Sequence, residues 1–145
     1  MFVLADDSGL EVDAIGGQPG VHSARFAALD SGLPGNAPDA DNNAKLLRLL
    51  KDVPMEKRTA RFRCVLALVA ITPQSALHTP HLFDGACEGR ILFGASGRGG
   101  FGYDPLFVPE GFDQSFAELG ADVKNRLSHR ALALEKLKAH FTSRA

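Results

Sequence analysis

Thr59-Ala-Arg-Phe-Arg-Cys-Val-Leu-Ala-Leu-Val-Ala-Ile71 decides the fold. The run alternates at first and then becomes apolar on both faces, as a central strand covered on two sides does. Thr72-Pro73 stops it. A second strand-like run extends from Leu82 to Phe93, interrupted by Gly85 and Gly89. Glycines inside a strand mark a bulge or a close backbone approach. The expected pairing of the two runs is a long antiparallel ribbon.

Working outward to the N-terminus, Met1-Phe2-Val3-Leu4 reads as an apolar strand that ends in Ala5-Asp6-Asp7-Ser8-Gly9-Leu10. Polar groups at a strand's carboxyl edge lie where open α/β sheets bind ligands. Two adjacent carboxylates there point to a divalent cation or a general base, since Mg²⁺ takes oxygen ligands and an attacking water needs a nearby base. A plain polar turn is the competing reading. Leu10, Val12 and Ala14 then alternate with polar neighbours before Gly16-Gly17-Gln18-Pro19-Gly20 breaks regular structure. Ser23 to Leu29 reads as a short helix capped by Ser23, with Arg25 on a solvated face or turned to a ligand, and Gly32 to Pro38 as a surface loop. A clearer helix follows, with Asp41 or Asn42 as N-cap, apolar Leu46, Leu47, Leu49, Leu50 and Val53, and Pro54 ending it.

The whole sequence of 145 residues, 45% hydrophobic, suits one compact domain spanning residues 1–145. A formal charge of −1 with both signs interspersed gives no field for wrapping nucleic acid or adsorbing to a membrane, so any anion must be held locally. Cys64 and Cys87 lack metal-ligand spacing and read as small core residues of a reducing compartment. No apolar stretch approaches the ~20 residues of a membrane span, and the N-terminus lacks signal-peptide features. Cytoplasm is the expected location. The chain also opens inside an apolar strand, with nothing ahead of Met1 to lead into it, so its start reads as truncated.

Two further stretches carry chemistry. Gly97-Arg98-Gly99-Gly100-Phe101-Gly102-Tyr103-Asp104-Pro105 sets glycines around two aromatics and an acid. A flat ring left on such a loop stacks on a nucleobase at about 1–3 kcal/mol per base; a hairpin with both rings in the core is the alternative. Lys124-Asn125-Arg126-Leu127-Ser128-His129-Arg130 leads into a helix capped by Ser128, with Ala131, Leu134, Leu137 and Phe141 as its apolar face. Cations in a first turn oppose the helix dipole unless an anion binds there, so Lys124, His129 and Arg130 read as an anion or phosphate site.

Taken together, residues 5–14, 16–21, 23–27, 99–107 and 124–131 closely resemble the inosine triphosphate pyrophosphatase family, in the family's order. The resemblance implies an α/β fold, an elongated mixed β-sheet flanked by helices in two lobes with the nucleotide cleft between them, in a homodimer. It implies a nucleoside triphosphate pyrophosphatase that uses Mg²⁺ to cleave deaminated purine nucleotides (ITP, dITP, XTP) to the monophosphate and pyrophosphate. Residue by residue, it makes Asp7 the proton acceptor and metal ligand and Ser8 a substrate contact. Phe101, Gly102, Tyr103 and Asp104 correspond to the base-binding loop, and Lys124, His129 and Arg130 to the remaining nucleotide contacts. Asp6 is a supporting neighbour. On this reading Lys124 and Arg130 offset negative charge, and donors on His129 or Arg130 meet a 6-oxo group.

The family pattern also begins with a strand, a Thr-Gly-Asn-x-Gly-Lys loop, a helix and a metal-sharing glutamate that this sequence does not show. A catalytically impaired nucleotide-binding or structural subunit is therefore the alternative expectation. A phosphatase with an aspartyl nucleophile fits poorly, because Asp7 is followed by Ser8 and Gly9 rather than by a partner acid two residues on.

Overall fold

The protein is described by a computed structural model covering residues 1–32, 34–73 and 79–143. Four strands, β1 (Phe2–Val12), β2 (Thr59–Ala70), β3 (His81–Ile91) and β4 (Phe107–Pro109), form a sheet in sequence order with every neighbouring pair antiparallel. The expected ribbon is β2–β3, in unbroken register from Thr59↔Arg90 to Leu68↔His81. No bulge interrupts it, and its two glycines mark close approaches instead. A Cβ on Gly85 would meet the carbonyl of His129 and lie 2.7 Å from the amide of Ala133, and one on Gly89 would meet Val108 and Phe107.

β1 departs from expectation. It does not end before the acidic pair but runs through it, from Phe2↔Ala70 to Val12↔Ala60. The register with β2 continues unbroken through Asp6, Asp7 and Ser8, so these residues lie mid-strand and not in a turn. Side chains alternate across a strand. Asp6, Ser8 and Leu10 thus share one side of the sheet, and Asp7, Gly9 and Glu11 the other.

The helices lie mainly on the first side. α1 (Ala28–Ser31) is a single turn, α2 (Asp39–Leu49) flanks the core, and α3 (Phe116–Leu119), α4 (Ala121–Leu127) and α5 (His129–Thr142) follow β4. Ser23 does not cap a helix: it sits inside a 3₁₀ segment, Gly20–Arg25, where its hydroxyl accepts the Leu10 amide at 2.9 Å and donates to the Gly20 carbonyl at 2.6 Å. α2 starts at Asp39 and its N-cap is Pro38, three residues before Asp41, the nearer expected cap; the fixed φ of Pro38 suits the entry. The loop expected over 32–38 is present, Leu33 lying outside the described residues.

Buried residues form two clusters along the sheet. One gathers Leu10, Val12, Phe26, Leu46, Leu50, Phe62, Ile91, Leu106, Phe107 and Phe116, and the other Cys64, Leu66 and Ala133 with Phe83 and Leu137. Buried Arg58 ties the C-terminal end of α2 to the end of β3 by donating to the carbonyls of Leu50, Val53 and Leu92. α5 seats Ala133 against the sheet, whereas Leu134, expected on its apolar face, is 45% exposed. The bare backbone at Gly85 sets this rotation, because the helix approaches too closely for a larger side chain. Ser128 does cap α5, accepting the Ala131 amide at 3.1 Å.

Candidate functional site

Beside the first cluster, on the helix-bearing side, lies a cavity of about 470 Å³. That is the size of a small-molecule site. Its walls come from Ser8 to Leu10 on β1, Phe62 on β2, the start of α2, the loop 100–104, α4, and Ser128 to Arg130 at the start of α5.

The loop is held by the elements around it. Gly100 takes φ 73° and has no room for a Cβ beside the Asp104 carboxylate. That carboxylate, 1% exposed, accepts the Phe101 amide at 3.0 Å and the Lys124 ammonium at 2.5 Å. The first turn of α2 grips the Gly102 peptide from both ends: Asp39 accepts its amide at 2.8 Å and Asn43 donates to its carbonyl at 3.1 Å. The two aromatics therefore part company. Tyr103 is buried and donates its hydroxyl to the Ser23 carbonyl at 2.6 Å, while Phe101 stays 70% exposed at the cavity rim. Burial pushes the Tyr103 phenol well above its ordinary range.

His129 stacks on Phe62 with centroids 5.3 Å apart and planes 21° from parallel. Burial, helped by the charges of Arg130 and Lys124, pushes its imidazole down to about 4, so it is neutral at pH 7. A neutral ring offers one donor and one acceptor. Its Nδ1 is buried and has no hydrogen-bond partner among the described residues.

The cationic cluster expected to hold an anion is resolved into separate pairs. Lys124 meets Asp104 and lies 3.8 Å from the centre of the Phe101 ring, Arg130 Nε meets Asp6 Oδ2 at 3.0 Å, and His129 is uncharged. Lys124 and Arg130 each lie beside an acid, and all three side chains line the cavity.

Ser8, Phe101, Gly102, Tyr103, Asp104, Lys124, His129 and Arg130 thus converge on the cavity. Asp7 does not. It faces the other side of the sheet, in a small hollow of about 90 Å³ shared with Glu11, Val21 and Arg63. Its carboxylate is exposed and makes no hydrogen bond or ion pair among the described residues. Ser8 and Gly9 line both spaces, so the outer edge of β1 is where the two meet. Among the described residues no group of three or more His, Cys, Asp or Glu side chains is placed to hold a metal. Asp7 is an uncommitted hard oxygen donor, which suits Mg²⁺ bound through one carboxylate and a ligand's phosphates.

Sequence reasoning missed Ser23, Asp39, Asn42, Phe62 and Phe116 as cavity residues. Asn42 was one of the two expected caps and Asp39 stood near them, but nothing local tells that Asp39 faces a loop 63 residues away.

Comparison with known proteins completes the picture. A dITP/XTP pyrophosphatase of Desulforamulus reducens is 56% identical over 135 residues, covering 93% of this chain and 62% of that protein. One of Opitutus terrae is 51% identical over 136 residues, covering 94% and 62%. The chain spans about three fifths of the length of these relatives. Among solved structures, the Ham1 protein of Staphylococcus aureus superposes with TM-score 0.85 at 37% identity, covering 99% of this chain and 68% of that one. A HAM1 protein from Coxiella burnetii gives 0.83 at 38% identity, covering 99% and 68%. The family model described as Ham1 family matches residues 1–140. The resemblance read from the motifs holds, and the chain belongs to the Ham1 family.

Proposed function

We propose that this chain binds deaminated purine nucleoside triphosphates (ITP, dITP, XTP) and hydrolyses them, as a nucleoside triphosphate pyrophosphatase, to the monophosphate and pyrophosphate. The observation that carries the reading is one cavity wall shared by exposed Phe101, neutral His129 and the paired donors of Lys124 and Arg130. Phe101 offers a face for a purine to stack on. A 6-oxo group is an acceptor that His129 or Arg130 can satisfy, whereas a 6-amino group leaves those donors unmatched. Sites built around a hydrogen bond reject ligands that cannot make it. The names of the relatives, dITP/XTP pyrophosphatase, support the same substrate class.

With the base in the cavity, the sugar crosses the outer edge of β1 at Ser8 and Gly9, and the phosphates reach the Asp7 side. There Asp7 accepts the proton of the attacking water. It is also the residue that would hold Mg²⁺, which when bound offsets charge on the phosphate oxygens. Positioning and electrostatics are the larger share of catalysis in such reactions. No helix among the described residues is long and apolar enough to cross a membrane; a cytoplasmic homodimer completes the proposal, with sedimentation as its check.

The test is pyrophosphate release from ITP, XTP, GTP and ATP with Mg²⁺. Turnover of ITP and XTP well above ATP is expected. Binding of ITP without any release would leave this chain a nucleotide-binding unit only.

A further inference from the structure

The pleat of β1 separates the two adjacent acids, and Asp6 is left on the cavity side with a partner of its own. Its Oδ2 accepts Nε of Arg130 at 3.0 Å and its Oδ1 accepts Nη2 at 3.4 Å, across 124 residues of chain. Two contacts on a planar fork fix its orientation as well as its position. The Ser8 hydroxyl donates to the same Oδ1 at 3.4 Å, and the buried Cys64 thiol reaches it at 3.8 Å. The carboxylate is thereby braced from both strands beneath it. Arg130 lines the cavity and Asp6 does not.

The pair is an odd choice for stability. The two side chains are 52% and 38% exposed, so solvent screens the attraction, and a cation in the first turn of α5 opposes the helix dipole. What the contact does is restrict a long side chain that would otherwise sweep through solvent.

We propose that Asp6 is a specificity-setting positioning residue, holding the Arg130 guanidinium against the cavity wall so that its donors face the 6-oxo edge of a bound purine. The inference rests on the base-reading cavity proposed above and adds a division of labour within the acidic pair. Asp7 serves the phosphate side and Asp6 the base side. Asp6 touches no reacting atom; it acts through Arg130.

Monophosphates test this without calling on any phosphate chemistry. Calorimetric titration of IMP and AMP is made against the wild-type chain, Asp6→Asn, Asp6→Glu, Arg130→Gln and the double variant Asp6→Asn/Arg130→Gln. Asp6→Asn is expected to narrow the IMP preference about tenfold by weakening IMP while leaving AMP unchanged. Asp6→Glu, which keeps the charge, should stay within about threefold of wild type. Once Arg130 is Gln, adding Asp6→Asn should change nothing further.

A wild-type chain that prefers IMP while Asp6→Asn keeps the full preference overturns the role of Asp6 alone. A wild-type chain with no preference removes the base-reading cavity and this inference with it. Should Asp6→Asn not fold, the wild-type chain gives the answer by nuclear magnetic resonance. A sharp, slowly exchanging Arg130 Nε–H without nucleotide supports the pairing, and a rapidly exchanging one overturns it.

Discussion

Asp7 is exposed and His129 half-buried, and each makes a distinct prediction. Asp7 is exposed and uncommitted, so Asp7→Asn should leave the melting temperature within about 2 °C of wild type. The same change should abolish pyrophosphate release while IMP still binds, because the base cavity lies on the other side of the sheet. Retained hydrolysis would assign the proton acceptor elsewhere. His129 is held at about 4 when folded, against 6.5 for a free imidazole. Between these values the unfolded chain binds the extra proton, so stability rises with pH through that window and is fully present above about 6.5. As pH falls from 7 to 4 the loss has an upper bound of about 3 kcal/mol, which solvent at this half-buried ring reduces to about 1–2 kcal/mol. Urea unfolding of wild type and His129→Gln across this range checks it. The variant's curve should be flatter by that amount.

Elements position the site through a close approach that only glycine permits and through a helix cap. α5 rests on β3 at Gly85, where a Cβ would meet the His129 carbonyl and lie 2.8 Å from the Leu132 Cβ. Gly85→Ala should therefore cost about 1–3 kcal/mol in urea unfolding, and it should weaken IMP binding because it displaces His129 and Arg130 with the helix start. A Gly85→Ala protein as stable as wild type would mean that α5 sits further from the sheet. At the helix start, Ser128→Ala removes the bond to the Ala131 amide and should cost about 1 kcal/mol. Measured side by side, the two variants separate the seat of α5 from its cap.

For the whole molecule, β2, β3 and the cap of α5 were legible because each follows from local pattern: alternation, an apolar run, a serine before a helix. β1 was misread at Asp6-Asp7, where polar residues imitate a turn and only the ladder to Ala67, Leu66 and Val65 shows a continuing strand. The rotation of α5 escaped for a similar reason, since Leu134 fits a helical period and only the seat at Gly85 shows that Ala133 faces inward. The site's residue types could be read from three short stretches, but their pairing could not. Asp39 meets Gly102 across 63 residues, Tyr103 meets Ser23 across 80, and Arg130 meets Asp6 across 124. Each of these contacts fixes a group of the site from far along the chain, and none of them is visible in local pattern.

The central claim is a nucleotide folded over the outer edge of β1, base on one side of the sheet and phosphates on the other. Its most direct measurement is a backbone-amide nuclear magnetic resonance titration with IMP and then with ITP, without divalent metal so that no turnover occurs. IMP should move the signals of Phe101, Lys124, His129 and Arg130, and ITP should move these together with Asp7 and Glu11. An ITP complex that leaves Asp7 and Glu11 unmoved would contradict the account, because the phosphates would then lie with the base and not across the strand.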